Sequence, residues 1–124
     1  MPQLVEMDRH VSLFEQMEHQ QQLGPVILIN TFTVEPHEAE QLQEAWASDA
    51  AFMKQQPGFI STQLHRGIGG SSVFFNYAVW ESLEDFKRAF TNPQFQAKMQ
   101  YYPPSAAASP HLGKKVAVAG ICVD

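Results

Sequence analysis

A chain of 124 residues, 44% of them apolar, is long enough for one buried core and short for two ordinary domains. Its net charge of −5, with no basic block, argues against nucleic acid as a partner, and its apolar runs fall short of the roughly 20 residues that a membrane span needs. The single cysteine, Cys122, excludes an internal disulfide, and the start Met1-Pro2-Gln3-Leu4-Val5-Glu6 lacks the basic and apolar regions of a signal peptide, so a cytoplasmic protein is expected.

In chain order, residues 1–23 read as a polar amphipathic helix, with Leu4, Val11, Phe14 and Met17 at near-heptad spacing among Glu, Gln and His. Gly24-Pro25 ends it. So polar a helix is expected to be an arm packing on a partner subunit or a loosely ordered segment, and in either case dispensable for the fold of a domain spanning 24–124. Val26 to Val34 is β-branched and bounded by Pro25 and Pro36, which predicts a strand. Pro36 suits the first turn of a helix. Its apolar stripe is Leu42, Ala45, Trp46, Phe52 and Met53, and it ends at Gln56-Pro57-Gly58.

Phe59 to Arg66 reads as a second strand, and Gly67-Ile68-Gly69-Gly70-Ser71 as the turn of a hairpin into a third, Ser72 to Trp80. Ser82 caps a short helix carrying Leu83, Phe86 and Phe90, which Asn92-Pro93 interrupts. Phe95 to Tyr102 suggests another helical turn or two, Tyr102 to Pro110 a loop, and Lys115 to Val123 the last strand. The order β-α-β-β-α-β implies an α+β, ferredoxin-like antiparallel sheet with both helices on one face. The other face would carry Ile27, Ile29, Phe75, Tyr77 and Val79, and an exposed apolar sheet face predicts a homodimer with the sheets packed together.

The third strand also carries the chemistry. Side chains alternate along a strand, so Phe74, Asn76, Ala78 and Trp80 share a face, with Asn76 and Trp80 about 13 Å apart. In the first strand Leu28, Asn30, Phe32 and Val34 share a face. An amide among apolar neighbours must be paired or serve a ligand, because burying it unpaired costs roughly 1–3 kcal/mol. Two amides and an indole beneath a helical lid suit a flat, apolar, oxygen-bearing ligand, and each can donate to an oxyanion. The plainer alternative is that the amides satisfy backbone groups and Trp80 is core.

Other chemistries find little support. His10, His19, His37, His65 and His111 are scattered, and with one cysteine no metal constellation forms. The glycines at 67–70 precede a strand and lack a following Lys-Ser/Thr, so they form a turn and not a phosphate cradle. No Gly-x-Ser-x-Gly elbow is present.

Ile29-Asn30-Thr31-Phe32-Thr33-Val34, the run from Phe52 through Pro57-Gly58-Phe59 to Ser61, and Asn76-Tyr77-Ala78-Val79-Trp80-Glu81-Ser82 together resemble the antibiotic biosynthesis monooxygenase family of dimeric α+β barrels. The first-strand amide and the Asn-x-x-x-Trp are similar to its cofactor-independent branch, which turns phenols and anthrones into quinones with dioxygen. The resemblance implies that Asn30, Asn76 and Trp80 bind substrate and activate oxygen, with no cofactor and no metal. Phe32, Trp46 and Phe86 are the expected apolar contacts to substrate. Some members have a tyrosine where Phe86 stands, and an arginine of those members has no match near Lys98 and Met99.

The haem-degrading branch shares the first-strand asparagine. Its haem-ligating histidine and second-helix tryptophan fall near Met99 and Ala89, so the resemblance speaks against haem degradation. For a general base, His65 is the one histidine in the central strands, and imidazole is the side chain most often used in that role, although an outward-facing histidine beside Arg66 is the competing reading. Two functions follow: a cofactor-independent monooxygenase acting on an aromatic, or a non-catalytic small-molecule binding or stress-response module on the same fold.

Overall fold

The computed structural model describes residues 2–19 and 23–123; positions 1 and 20–22 of the expected arm, and 124, lie outside them. The elements run β1 (Gln3–Leu4), α1 (Leu13–Met17), β2 (Val26–Thr33), α2 (Ala39–Lys54), β3 (Phe59–Arg66), β4 (Val73–Trp80), α3 (Leu83–Phe90), α4 (Pro93–Lys98) and β5 (Ala107–Gly113). Short 3-10 turns at Pro36–Glu38 and Met99–Tyr101 precede α2 and follow α4.

The strand order is β1-β5-β2-β4-β3, and the sheet is open. β2 lies at its centre, antiparallel to both β4 and β5, with β3 antiparallel to β4. The α+β layout of strands and helices is the expected ferredoxin-like one, with β1 added as a fifth strand parallel to β5. Alternation sets the faces: Val26, Leu28 and Phe32 of β2 and Phe74, Ala78 and Trp80 of β4 are buried, whereas Phe75 and Tyr77 are exposed on the other side.

The buried face holds two apolar clusters. One gathers Val26, Leu28, Ala78, Trp80, Phe86 and Leu112, and the other Phe32, Leu42, Ala45, Phe74, Tyr102 and Ala108. Between them runs one row across three strands, in which Asn30 is paired with Asn76 on one side and Pro110 on the other. A polar row thus divides the core beneath the helices.

Two segments differ from expectation. The last strand is Ala107–Gly113 and not Lys115 to Val123, where the described residues show one bridge, Val118 to Cys122. Prolines made 102–110 read as a loop. Pro110 is tolerated because the backbone of its strand parity faces the sheet edge: Ala108 O accepts from Val5 N at 2.9 Å, and Leu112 N donates to Gln16 Oε1 at 2.9 Å. The missing N–H therefore costs no bond to β2.

The N-terminal segment is not one helix and is not apart from the core. Among the described residues its one short helix is capped by Ser12, whose hydroxyl accepts from Glu15 N at 3.1 Å, and Glu6 accepts from Leu13 N at 3.0 Å. Leu13 and Met17, four residues apart, are buried in the first cluster, while Leu4 and Phe14 of the expected stripe are exposed. Gln16 closes the edge of β5 by donating to Leu112 O as well, at 2.8 Å.

Candidate active site

The site grows from the polar row. β4 turns Asn76 toward the helices, and there the Thr62 hydroxyl of β3 donates to Asn76 Oδ1 at 2.5 Å. That bond occupies the acceptor of Asn76 and leaves its amide N–H groups as the end available to a ligand. Directly across the ladder, Asn30 Oδ1 is buried without a partner among the described residues. Trp80, 2% exposed, closes the row's far end with its ring edge-on to Phe59 at 5.4 Å and to Phe86 at 5.9 Å.

Two cavities meet here. The smaller, about 60 Å³, is bordered by Asn30, Thr62, Asn76 and Trp80 below and by Trp46 and Met53 of α2 above. At that volume it has room for a few waters or for dioxygen. The larger, about 380 Å³, falls within the range of small-molecule sites and runs beneath Leu4, Val5 and Phe14 of the N-terminal segment. Asn30, Phe32, Asp49, Phe95 and Tyr102 border both and form their common wall.

Asp49 is the unexpected member. It sits on α2, buried, with Oδ1 unpartnered among the described residues. Burial pushes its carboxyl up to about 6, against smaller downward pulls from a hydrogen bond with Tyr102 and from the charge of Lys98. Tyr102, stacked on Phe32 at 5.7 Å, has its hydroxyl held protonated by burial and by that same carboxylate. Lys98 spends its ammonium on Ser48 Oγ at 2.9 Å.

Of the residues expected from sequence, Asn30, Asn76, Trp80, Phe32 and Trp46 border the smaller cavity together. Phe86 does not line either cavity. It is fully buried behind Trp80 and stacks on Phe90 at 5.4 Å, so its contact is with the indole's back. His65 is on the opposite face, exposed, stacked on Phe75 at 4.9 Å with Nδ1 3.3 Å from Phe75 O. The physical reason is parity: His65 pairs with Phe75, whereas Leu64 pairs with Asn76.

Sequence reasoning missed Asp49, Thr62 and Tyr102. For Asp49 a signal existed, because Leu42, Ala45, Trp46, Asp49 and Met53 follow one helical stripe and an acid interrupts it. Tyr102 stands in a Tyr-Pro-Pro stretch, where no periodicity points to a core position. As for metals, no group of three His, Cys, Asp or Glu able to hold an ion occurs among the described residues.

Comparison with known proteins returns to the same region. The chain is 37% identical over 70 residues to deoxynogalonate monooxygenase of Streptomyces nogalater, an alignment covering 56% of this chain and 58% of that protein, less than two thirds of its length. It is 32% identical over 73 residues to a mycobilin-producing heme oxygenase of Mycobacterium tuberculosis, covering 59% of this chain and 70% of that one. The crystal structure of SnoaB, a cofactor-independent oxygenase from Streptomyces nogalater, superposes with a TM-score of 0.70 at 26% identity, covering 78% of this chain and 98% of SnoaB. Tyr102, Pro110 and the N-terminal roof fall outside the stretch that a family model recognises, but Asn30, Asn76 and the α2 lid fall within it: residues 25–101 match antibiotic biosynthesis monooxygenase, and the chain belongs to that family.

Proposed function

We propose that this chain is a cofactor-independent monooxygenase that oxidises a phenolic, anthrone or quinol-like aromatic to a quinone with dioxygen. The observation that carries the reading is the polar row, where two amides paired across the ladder face a cavity in an otherwise apolar core. The free acceptor of Asn30 calls for a hydroxyl donor, and the amide of Asn76 suits a developing oxyanion. Trp80 and Phe59 keep water out. The likeness to SnoaB and to deoxynogalonate monooxygenase supports this reading.

The chemistry balances without a cofactor. An activated R₂CH₂ loses a proton, its carbanion passes one electron to dioxygen, and the radical pair joins as a peroxide. Loss of water then gives R₂C=O, so that R₂CH₂ and O₂ become R₂C=O and H₂O. The substrate is itself the reductant. The similarity to a heme oxygenase raises a second reading, but among the described residues no histidine borders either cavity to offer an imidazole to haem iron. The proposed working form is a homodimer in the cytoplasm, for which the exposed Phe75 and Tyr77 and the single free thiol of Cys122 speak.

Oxygen uptake with a panel of anthrones and quinols tests the proposal. Asn76→Ala and Trp80→Phe keep the strand and should each lower turnover about 10²-fold, as for loss of one oxyanion donor. Full activity in both variants would make these residues structural. A parent that binds the panel but oxidises none of it is instead a binding module on the same fold.

A further inference from the structure

The reaction proposed above needs a group to take the substrate's proton, and the present inference rests on that reading. We infer that Asp49 is the general base of this site, and that Tyr102 positions its carboxylate toward the common wall of the two cavities.

Among the described residues, the titratable side chains bordering either cavity are Glu6, Asp49 and Tyr102. Glu6 borders the larger cavity alone, is exposed, and accepts from Leu13 N at 3.0 Å. Tyr102 is held protonated and bonded to Asp49. Lys98, the cation on α4 that acts on Asp49, is engaged with Ser48. His65 lies on the other sheet face, and His111 has Nε2 3.2 Å from Gln16 Nε2 and lines neither cavity.

Among the described residues, Asp49 alone borders both cavities as a carboxyl with a buried, unpartnered oxygen. A structural carboxyl in an apolar stripe would have its lone pairs satisfied, since buried polar atoms are nearly always paired. Asn30, which also borders both cavities, has its Oδ1 likewise without a partner among the described residues. Two waiting acceptors fit a ligand that presents a hydroxyl and, next to it, an acidic C–H. A carboxyl raised to about 6 is ionised at neutral pH and more basic than an exposed aspartate.

Asp49 takes a proton from R₂CH₂, leaving the electron pair on carbon for dioxygen. The resulting peroxide anion takes that proton back. Asp49 then removes the remaining proton on the same carbon as the O–O bond breaks, and the departing hydroxide takes it from Asp49 as water. The carboxylate is regenerated.

The test follows oxygen uptake by the full chain with 1,8-dihydroxyanthrone between pH 4.5 and 9, with the enzyme-free rate subtracted. The parent rate should rise through one ionisation near 6 and level off. Asp49→Asn should lower kcat by about 10²-fold or more, within the usual worth of a general base, and lose that rise. Anthrone affinity, read by quenching of tryptophan fluorescence, should change little. Asp49→Glu should restore part of the rate. Tyr102→Phe should move the rise to higher pH, because its hydroxyl bond lowers the Asp49 pKa.

If Asp49→Asn does not fold, sodium formate added to Asp49→Ala should return turnover, and failure to do so counts against the base. Parental kcat and pH profile in Asp49→Asn would overturn the inference while leaving the monooxygenase reading intact. A parent that binds the anthrone without oxidising it overturns both.

Discussion

Asp49 ought to weaken the protein it serves. Its carboxyl is raised from 3.8 to about 6 in the folded state, so the fold binds this proton more tightly than the unfolded chain does. Stability from this group is therefore full below pH 4, declines as pH rises toward 6, and is flat above. By the usual conversion the deficit at neutral pH is roughly 3 kcal/mol. Asp49→Asn, which can still accept from Tyr102, is expected to be about 1–3 kcal/mol more stable than the parent at pH 7.5, with the gap closing by pH 3.5. Urea titrations at the two pH values check this. Strand parity made Asn76 and Trp80 legible as neighbours on one face, because a two-residue period leaves no choice. Asp49 is hidden in the sequence because a helical stripe is legible through its apolar residues alone. Phe86 was placed one layer too near: periodicity tells which way a side chain points and not what stands in front of it.

At the scale of elements, β2, β3 and β4 were legible because β-branched and aromatic runs are bounded by proline and glycine. β5 was not. Ala107-Ala108-Ser109-Pro110 has little strand propensity of its own and is extended because the free edge of β2 recruits it. Val116 and Val118 have the propensity, yet that edge is already taken. The N-terminal segment fails the same way, since its polarity concealed two core residues and an edge-closing amide. Deleting residues 1–22 removes the burial of Leu13 and Met17, each worth roughly 2 kcal/mol, so the truncated protein is expected to lose about 4 kcal/mol in a urea titration. The Leu112 amide, freed from Gln16, should exchange its hydrogen faster.

For the whole molecule, the open sheet face decides the outcome. Val73, Phe75 and Tyr77 lie about 40% exposed along one strand, at 39%, 42% and 40%, which makes a contiguous apolar stripe rather than scattered surface residues. Two copies joined through this face would bury it under two-fold symmetry. Light scattering at micromolar concentration should return a dimer, and Tyr77→Asp should shift it to monomer by placing an unpaired charge in the interface. The ferredoxin-like order was legible from element spacing, and so was the bare face, because both follow from alternation along β2 and β4. That the sheet extends past β5 was not, as a two-residue strand leaves no pattern to read.

The roof over the larger cavity bears on how the protein is handled at the bench. Pro2, Leu4 and Val5 border that space, the proposed substrate cavity. A purification handle placed there would crowd the ligand and depress apparent affinity without touching the polar row. Residues 113–123 are exposed and border neither cavity, so a handle on that end leaves the site's surroundings as they are.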